Sequence, residues 1–290
     1  KRKESKGYSK KLQKLSEIDL KNISINNHIK GNLDEAEKGY LIFLKNGYSD
    51  ADIISNYALI CEAKGENEKA IKLYKTCSES FPNHVYSKLN LGFLYYKLNN
   101  LEKAMTIIEQ AIRLKPRLAN GYCIRGLIFK SMNNFNESKL SLEKAIEIDN
   151  NHIDAYINLG LLNKDYNEFN EAEKCYMKAL SINSKSAIAH LNLGACYKEK
   201  QELEKAILHT KTAIKLDNKL ENCYLNLATI YHQIGDYKTS LKLVKKELIF
   251  NENSDLSYQL ISELIKTGNL LNTKQKEDRE LLNKILNRKS

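Results

Sequence analysis

Small and large apolar residues occupy fixed places in a pattern that recurs every 34 residues along this chain. Periods starting at Glu17, Ala51, Val85, Ala119, Ile153, Ala187, Glu221 and Asp255 align with no insertion or deletion. The eighth place is always small: Ser24, Ala58, Gly92, Gly126, Gly160, Gly194, Ala228 and Ser262. Larger residues fill the seventh and eleventh places, as in Leu159 and Tyr197. We expect bulk on one helix to pack against small residues on its neighbour.

The fifteenth place of each period predicts a turn. It holds Gly31, Gly65, Asn99, Asn133, Asn167, Gln201, Gly235 and Asn269. Glycine and asparagine tolerate the left-handed backbone that ends many helices. The only two prolines, Pro82 and Pro116, fall where the second helix of a period must stop. Each period therefore predicts helix, tight turn and helix, and the fold class is all-α.

These helical hairpins must stack to be stable. Ordering 34 residues costs about 50 kcal/mol at roughly 1.5 kcal/mol each, which requires on the order of 2,000 Å² of buried apolar surface. One isolated hairpin cannot bury that much surface. Neighbouring hairpins supply the remainder, so we expect stability to be a sum of hairpin and interface contributions.

The recurring residues resemble the tetratricopeptide repeat. The motif is a Leu-Gly pair, an aromatic residue three places later and an alanine in the second helix, best seen at Leu193, Gly194, Tyr197 and Ala206. The family's tryptophan at the fourth place is absent, and Tyr122, Tyr156, His190 and Tyr224 stand there instead. The resemblance covers residues 17–270. It implies an α-solenoid of about eight hairpins, a right-handed superhelix whose inner wall is formed by the first helix of each repeat.

Three segments follow from this division. We expect a basic, flexible N-terminal arm over residues 1–16, the repeat array over 17–270 and a C-terminal capping helix over 271–290. The last segment places Leu281, Leu282, Ile285 and Leu286 at helical spacing, and self-association through it is an alternative to capping. The first residue is Lys1 rather than methionine, so we expect the sequence to be part of a longer protein.

The sixth place is one of those that form the concave wall in the family. Here it reads Asn22, Asn56, Asn90, Ile124, Asn158, Asn192, Asn226 and Leu260. An asparagine amide both donates and accepts, so it can pair with a peptide bond regardless of side chain. This row resembles the asparagine ladder in the tetratricopeptide superhelix of O-linked N-acetylglucosamine transferase. The alternative is that asparagine at this place only positions neighbouring turns, and both interpretations stay open.

Other wall places predict further contacts. The fifth and ninth places carry Leu89, Phe93, Leu127, Ile157 and Leu161, which would form an exposed apolar patch unless the adjacent helix covers them. The twelfth place carries Lys130, Lys164 and Lys198, which could touch an acidic ligand or simply form a solvated face. Together these places predict a groove that binds an extended or helical peptide segment of a partner protein.

Charge and hydropathy exclude several other functions. Residues 1–15 carry seven basic side chains and one acidic one, so much of the net charge of +10 lies at this end and not in the repeats. Nucleic-acid binding is therefore not expected beyond the arm. No apolar run is long enough to span a membrane and no signal peptide is evident, so we expect a cytoplasmic protein.

Nothing in the sequence predicts catalysis or a cofactor. The six histidines are scattered, no glycine-rich phosphate loop is present, and no two cysteines form a Cys-x-x-Cys pair. We expect the cysteines to be small core residues, and no metal site. The chain is thus interpreted as a non-enzymatic scaffold. The alternative is that it forms the substrate-recognition arm of a larger glycosyl- or sulfo-transferase, whose catalytic domain lies outside this sequence.

Overall fold

A computed structural model describes residues 12, 13 and 15–267. The helices are α1 Glu17–Ile29, α2 Leu33–Lys45, α3 Ala51–Ala63, α4 Asn67–Ser80, α5 Val85–Lys97, α6 Leu101–Leu114, α7 Ala119–Ser131, α8 Phe135–Ile148, α9 Ile153–Asp165, α10 Phe169–Ile182, α11 Ala187–Glu199, α12 Leu203–Leu216, α13 Cys223–Ile234, α14 Tyr237–Phe250 and α15 Asp255–Thr267. The described residues contain no strand. The proposed capping segment 271–290 lies outside the described residues, as does most of the proposed arm, residues 1–11 and 14.

The chain divides into two compact halves, residues 1–148 and 149–290. The N-terminal half contains α1 to α8, and the C-terminal half contains α9 to α15. Within each half, the two helices of a hairpin pack together, and each second helix also packs on the first helix of the next hairpin. Successive first helices touch as well, as α9 does α11 and α11 does α13. The fold class is the all-α helical repeat that the sequence predicted.

Glycine at the eighth place allows the two helices of a hairpin to approach closely. A Cβ on Gly92 would lie 2.6 Å from Cδ1 of Ile108, and one on Gly160 would lie 2.6 Å from Cε1 of Tyr176. Real Cβ atoms do not approach other atoms this closely. The large residue that fills this space stands at the twenty-fourth place, on the second helix of the same hairpin. The predicted pairing of bulk with small residues is confirmed.

The turns also follow the prediction. Left-handed φ values occur at the fifteenth place in all seven described repeats that reach it: Gly31, Gly65, Asn99, Asn133, Asn167, Gln201 and Gly235, between 56° and 86°. Backbone amide groups beyond this residue return to the preceding helix, as Asn100 N–H does to the Tyr95 carbonyl at 2.8 Å. The turn satisfies carbonyls that the helix end would otherwise leave unpaired.

The seventh repeat departs from the pattern at its start. The pattern places a helix start at Glu221, but α13 begins at Cys223, because Asn222 adopts a left-handed φ of 63°. Glu247 of α14 is 2% exposed, and its carboxylate accepts from the backbone N–H groups of Asn222 at 3.1 Å and Leu225 at 3.3 Å. A buried carboxylate at a helix N-terminus offsets unpaired donors there. Alanine stands at this twenty-seventh place in the four repeats before it.

Candidate peptide-binding surface

Three ladder asparagines occupy consecutive first helices of the C-terminal half. Asn158 lies on α9, Asn192 on α11 and Asn226 on α13, and all three are half-buried. Each of these helices contacts the next, so the same place recurs on neighbouring elements. Helices packed side by side are about 8–10 Å apart, and an extended peptide rises about 3.3 Å per residue. The ladder spacing therefore corresponds to about three residues of an extended chain.

Two sixth-place asparagines of the N-terminal half, Asn56 and Asn90, have partners within the protein. The Asn56 side chain hydrogen-bonds the Tyr40 hydroxyl, which also lies 3.0 Å from Nδ1 of His28. Burial raises the pKa of Tyr40 to about 12, and the bond from Asn56 acts in the opposite direction. Asn90 bonds the Tyr74 hydroxyl in the same way. In this half the alternative structural role of asparagine thus has direct support.

The equivalent tyrosine of the C-terminal half has no such partner. Tyr176 stands at the same twenty-fourth place as Tyr40 and Tyr74 and is fully buried. Its hydroxyl has no hydrogen-bond partner in the described part of the chain. At the place where Glu62 accepts from Tyr74 at 3.4 Å, the fifth repeat has Lys164. Asn192 therefore does not satisfy its tyrosine as Asn56 and Asn90 do, although Asn158 of the same half has an interaction partner within the chain.

The predicted exposure of the apolar patch is wrong for its two fifth-place residues. Leu89 is 4% exposed and Ile157 is 8% exposed, and each belongs to the hydrophobic core of its own half. Adjacent helices cover them, which was the alternative considered for this place. The ninth-place residues Phe93, Leu127 and Leu161 are half-buried. Apolar contacts with a ligand are thus restricted to the ninth place.

The lysines of the twelfth place do not form a free basic stripe. Nζ of Lys164 lies 3.6 Å from a carboxylate oxygen of Asp165, and Nζ of Lys198 lies 3.1 Å from one of Glu199. Lys130 is half-buried and also has an interaction partner. Neighbouring carboxylates of opposite sign reduce the attraction that these lysines exert on an acidic ligand.

The cysteines behave as core residues. Cys61, Cys77, Cys123, Cys196 and Cys223 are buried, Cys175 is half-buried, and none forms a disulfide. Burial raises the pKa of the Cys196 thiol to about 11 and that of Cys223 to about 12. Reactive cysteines need a thiolate, so these two thiols are poor nucleophiles at neutral pH. The predicted core role of the buried five is confirmed.

Sequence reasoning missed the roles of several histidines. Nδ1 of His84 accepts from the N–H of Ser87 at 3.3 Å, and Nδ1 of His152 accepts from that of Ala155 at 3.1 Å, so both cap first helices. His190 and His209 face each other with Nδ1 atoms 3.0 Å apart. The cap could have been read from the thirty-fourth place, which also holds Ser16, Asp50 and Ser186. No sequence pattern indicated the contact between His190 and His209, because the two histidines lie on different helices.

Stacked helical hairpins with left-handed turns and glycine contacts define a helical-repeat protein. Tetratricopeptide repeat models match residues 63–119, 119–152, 153–186 and 175–207, which together span half of the chain. The chain belongs to the tetratricopeptide repeat family. Proteins of this family bind proteins or peptides, which supports a protein-interaction scaffold. None of the described helices has both the length and the hydrophobicity that a membrane crossing requires.

Several solved structures share the fold. A chain of the APC/C hetero-tetramer Cut9-Hcn1 matches with a TM-score of 0.70 at 14% identity over 86% of this chain and 46% of its own, so this chain spans less than half of it. A tetratricopeptide repeat protein from Parabacteroides merdae matches at 0.68 and 17% identity, over 86% and 98%. PilF of Pseudomonas aeruginosa matches at 0.59 and 16% identity, over 69% and 88%. No curated protein sequence matches this chain.

Proposed function

We propose that this chain is a protein-interaction scaffold that binds an extended or helical peptide segment of a partner along its first helices. The observation that carries the proposal is the row of half-buried asparagines Asn158, Asn192 and Asn226 on three contacting helices of the C-terminal half. Their amides pair with the peptide backbone, which accounts for affinity without a fixed sequence. The half-buried side chain of Leu161 on α9 supplies an apolar contact.

The N-terminal half carries Asn56 and Asn90 at the ladder place. Asn56 and Asn90 already bond buried tyrosine hydroxyls, so a peptide must share or displace those bonds. Phe93 and Leu127 are half-buried and offer apolar surface there. Leu89 and Ile157 support the helices from beneath and do not touch the ligand. Binding through this half therefore also uses apolar side chains of the partner.

The experiment begins with peptides selected against the full chain from a random display library. Asn158→Ala combined with Asn192→Ala should weaken the selected peptides at least tenfold, since each lost backbone hydrogen bond contributes about 1 kcal/mol and about 1.4 kcal/mol is tenfold. The matched control is Asn170→Ala with Asn218→Ala, two exposed asparagines off the ladder. Thermal unfolding should stay nearly unchanged in both. Unchanged affinity in the ladder variant would refute the proposal.

The transferase-arm alternative remains a prediction that no feature of the described residues favours. The peptide experiment tests binding alone, because it needs neither an enzymatic assay nor a cellular context.

A further inference from the structure

A cleft of about 500 Å³ lies in the N-terminal half, between α4, α5 and α6, and none of the ladder or ninth-place residues lines it. One lysine from each helix lines it: Lys75 from α4, Lys88 from α5 and Lys103 from α6. Glu79 is the only carboxylate in its lining, so the side chains around it carry a net charge of about +2. We call it the lysine cleft.

The three lysines come together at only one junction between repeats. They occupy the twenty-fifth place of the second repeat and the fourth and nineteenth places of the third. The fourth place elsewhere holds Leu20, Ile54, Tyr122, Tyr156, His190, Tyr224 and Tyr258. Lys88 is thus the only lysine at that place, and no other junction in the sequence combines lysines at all three places. A lysine replaces an aromatic or aliphatic residue at the fourth place only at this junction.

These ammonium groups lack the carboxylate partners that nearby lysines have. Nζ of Lys64 forms an ion pair with a carboxylate oxygen of Glu37 at 2.6 Å, and Nζ of Lys69 forms one with Glu66 at 2.9 Å. Lys75, Lys88 and Lys103 form no ion pair with a described carboxylate, and Nζ of Lys103 instead lies 5.7 Å from the centre of the Tyr95 ring. Three lysines around a cleft with a single carboxylate, Glu79, leave an excess of positive charge, and like charges repel one another. An anion in the cleft would relieve that repulsion.

A hydroxyl group in the wall is also unsatisfied. Ser78 lines the lysine cleft, and its Oγ is buried with no hydrogen-bond partner among the described residues. The Thr106 hydroxyl is committed, since it donates to the Glu102 carbonyl at 2.9 Å. Ser78 is therefore a hydroxyl of the wall that a small side-chain rotation would make available to an acceptor oxygen.

Charge and size select among anions. A phosphomonoester carries about −1.5 to −2 charges and three acceptor oxygens, which matches a net charge of +2 better than a single carboxylate does. The cleft volume lies within the range of roughly 300–1,000 Å³ for ligand sites, larger than a phosphate group alone requires. Tyr95 is 7% exposed, so it offers no ring face on which a nucleobase could stack.

We propose that the lysine cleft binds a phosphorylated serine or threonine side chain of a partner protein. This inference rests on the proposed scaffold function, because it takes the phosphate to be carried by a protein. The three ammonium groups surround the phosphate from three helices, and neighbouring residues of the partner occupy the rest of the cleft. Binding at this site makes the interaction dependent on phosphorylation, independently of the asparagine ladder.

The probes are fluorescent peptide pools with randomised flanks and a central phosphoserine, serine or glutamate. The full chain should retain the phosphoserine pool about tenfold better than the serine pool, since hydrogen bonds to charged groups contribute about 1.5–3 kcal/mol and about 1.4 kcal/mol is tenfold. Lys75→Gln, Lys88→Gln and Lys103→Gln together should abolish this preference. The control Lys211→Gln, Lys215→Gln and Lys219→Gln, three exposed lysines of the C-terminal half, should keep it at equal net charge.

The outcomes separate the sources of the anion. Equal retention of phosphoserine and glutamate pools, or a preference unchanged in the cleft variant, would overturn the proposal. So would inorganic phosphate that binds as tightly as the peptides, because the cleft would then be a site for a free small anion. If the triple variant does not fold, Lys75→Gln and Lys103→Gln, at exposed residues, should each reduce the preference about threefold. The ladder variant at Asn158 and Asn192 should leave it unchanged, which distinguishes failure of this site from failure of the groove.

Discussion

Removing the hydroxyl of Tyr176 should stabilise this protein, whereas removing the hydroxyl of Tyr74 should destabilise it. The two tyrosines share the twenty-fourth place of their repeats and are both fully buried. The Tyr74 hydroxyl donates to Glu62 at 3.4 Å and bonds Asn90, whereas the Tyr176 hydroxyl has no partner among the described residues. Tyr→Phe keeps the ring that fills the space beside the eighth place in either case.

The magnitudes follow from the hydrogen bonds. A buried polar group without a partner costs about 1–3 kcal/mol, so Tyr176→Phe should raise the free energy of unfolding by about 1 kcal/mol or more. Tyr74→Phe removes two bonds, so Glu62 loses a donor and the Asn90 amide loses an acceptor, which should lower the free energy of unfolding by about 1–2 kcal/mol. For a chain of this size, 1 kcal/mol corresponds to roughly 2–4 °C in melting temperature.

Urea unfolding followed by circular dichroism should show the opposite shifts in the two single variants. Because repeat arrays can open locally, amide hydrogen exchange in peptides from α10 and α4 should show the same signs at each site. Tyr176→Phe that destabilises as much as Tyr74→Phe would mean that the Tyr176 hydroxyl is satisfied, and would refute the reasoning.

Three further predictions follow from packing, backbone and charge. Gly160→Ala should destabilise by about 1–3 kcal/mol in urea unfolding, because the new Cβ meets the Tyr176 ring at 2.6 Å; no loss would contradict the close approach. Gln201→Gly should be neutral or stabilise by up to about 1 kcal/mol, since φ is 61° there, whereas a clear loss would argue against a left-handed turn. Burial, and to a lesser extent the neighbouring His190, lower the pKa of His209 below 6.5. As the pH falls, His209 is therefore protonated in the unfolded state before it is protonated in the folded state. The contribution of His209 to stability should be complete above about pH 6.5 and fall as pH drops through the folded-state pKa. The melting temperature of His209→Gln should therefore decline less between pH 7.5 and 5.5 than that of the unchanged protein. An equal decline would show that His209 is not the source of the pH dependence.

The sequence by itself determined the architecture. A period of 34, small residues at the eighth place and glycine or asparagine at the fifteenth predicted every hairpin that the structure describes. These features act through contacts within one hairpin or between adjacent hairpins, so a repeated pattern reports them directly. The exception was the start of α13, where a single buried carboxylate, Glu247, changes the backbone of a neighbouring helix.

Only the tertiary structure decided which side chains are available to a ligand. The same place can have different partners in different repeats: at the twenty-fourth place the Tyr74 hydroxyl bonds Asn90, whereas the Tyr176 hydroxyl has no partner among the described residues. Burial of Leu89 and Ile157, and the meeting of His190 with His209, depend on residues from other helices. A one-dimensional period specifies where a helix lies, whereas hydrogen bonding and exposure depend on which side chains the neighbouring helices bring to the same point.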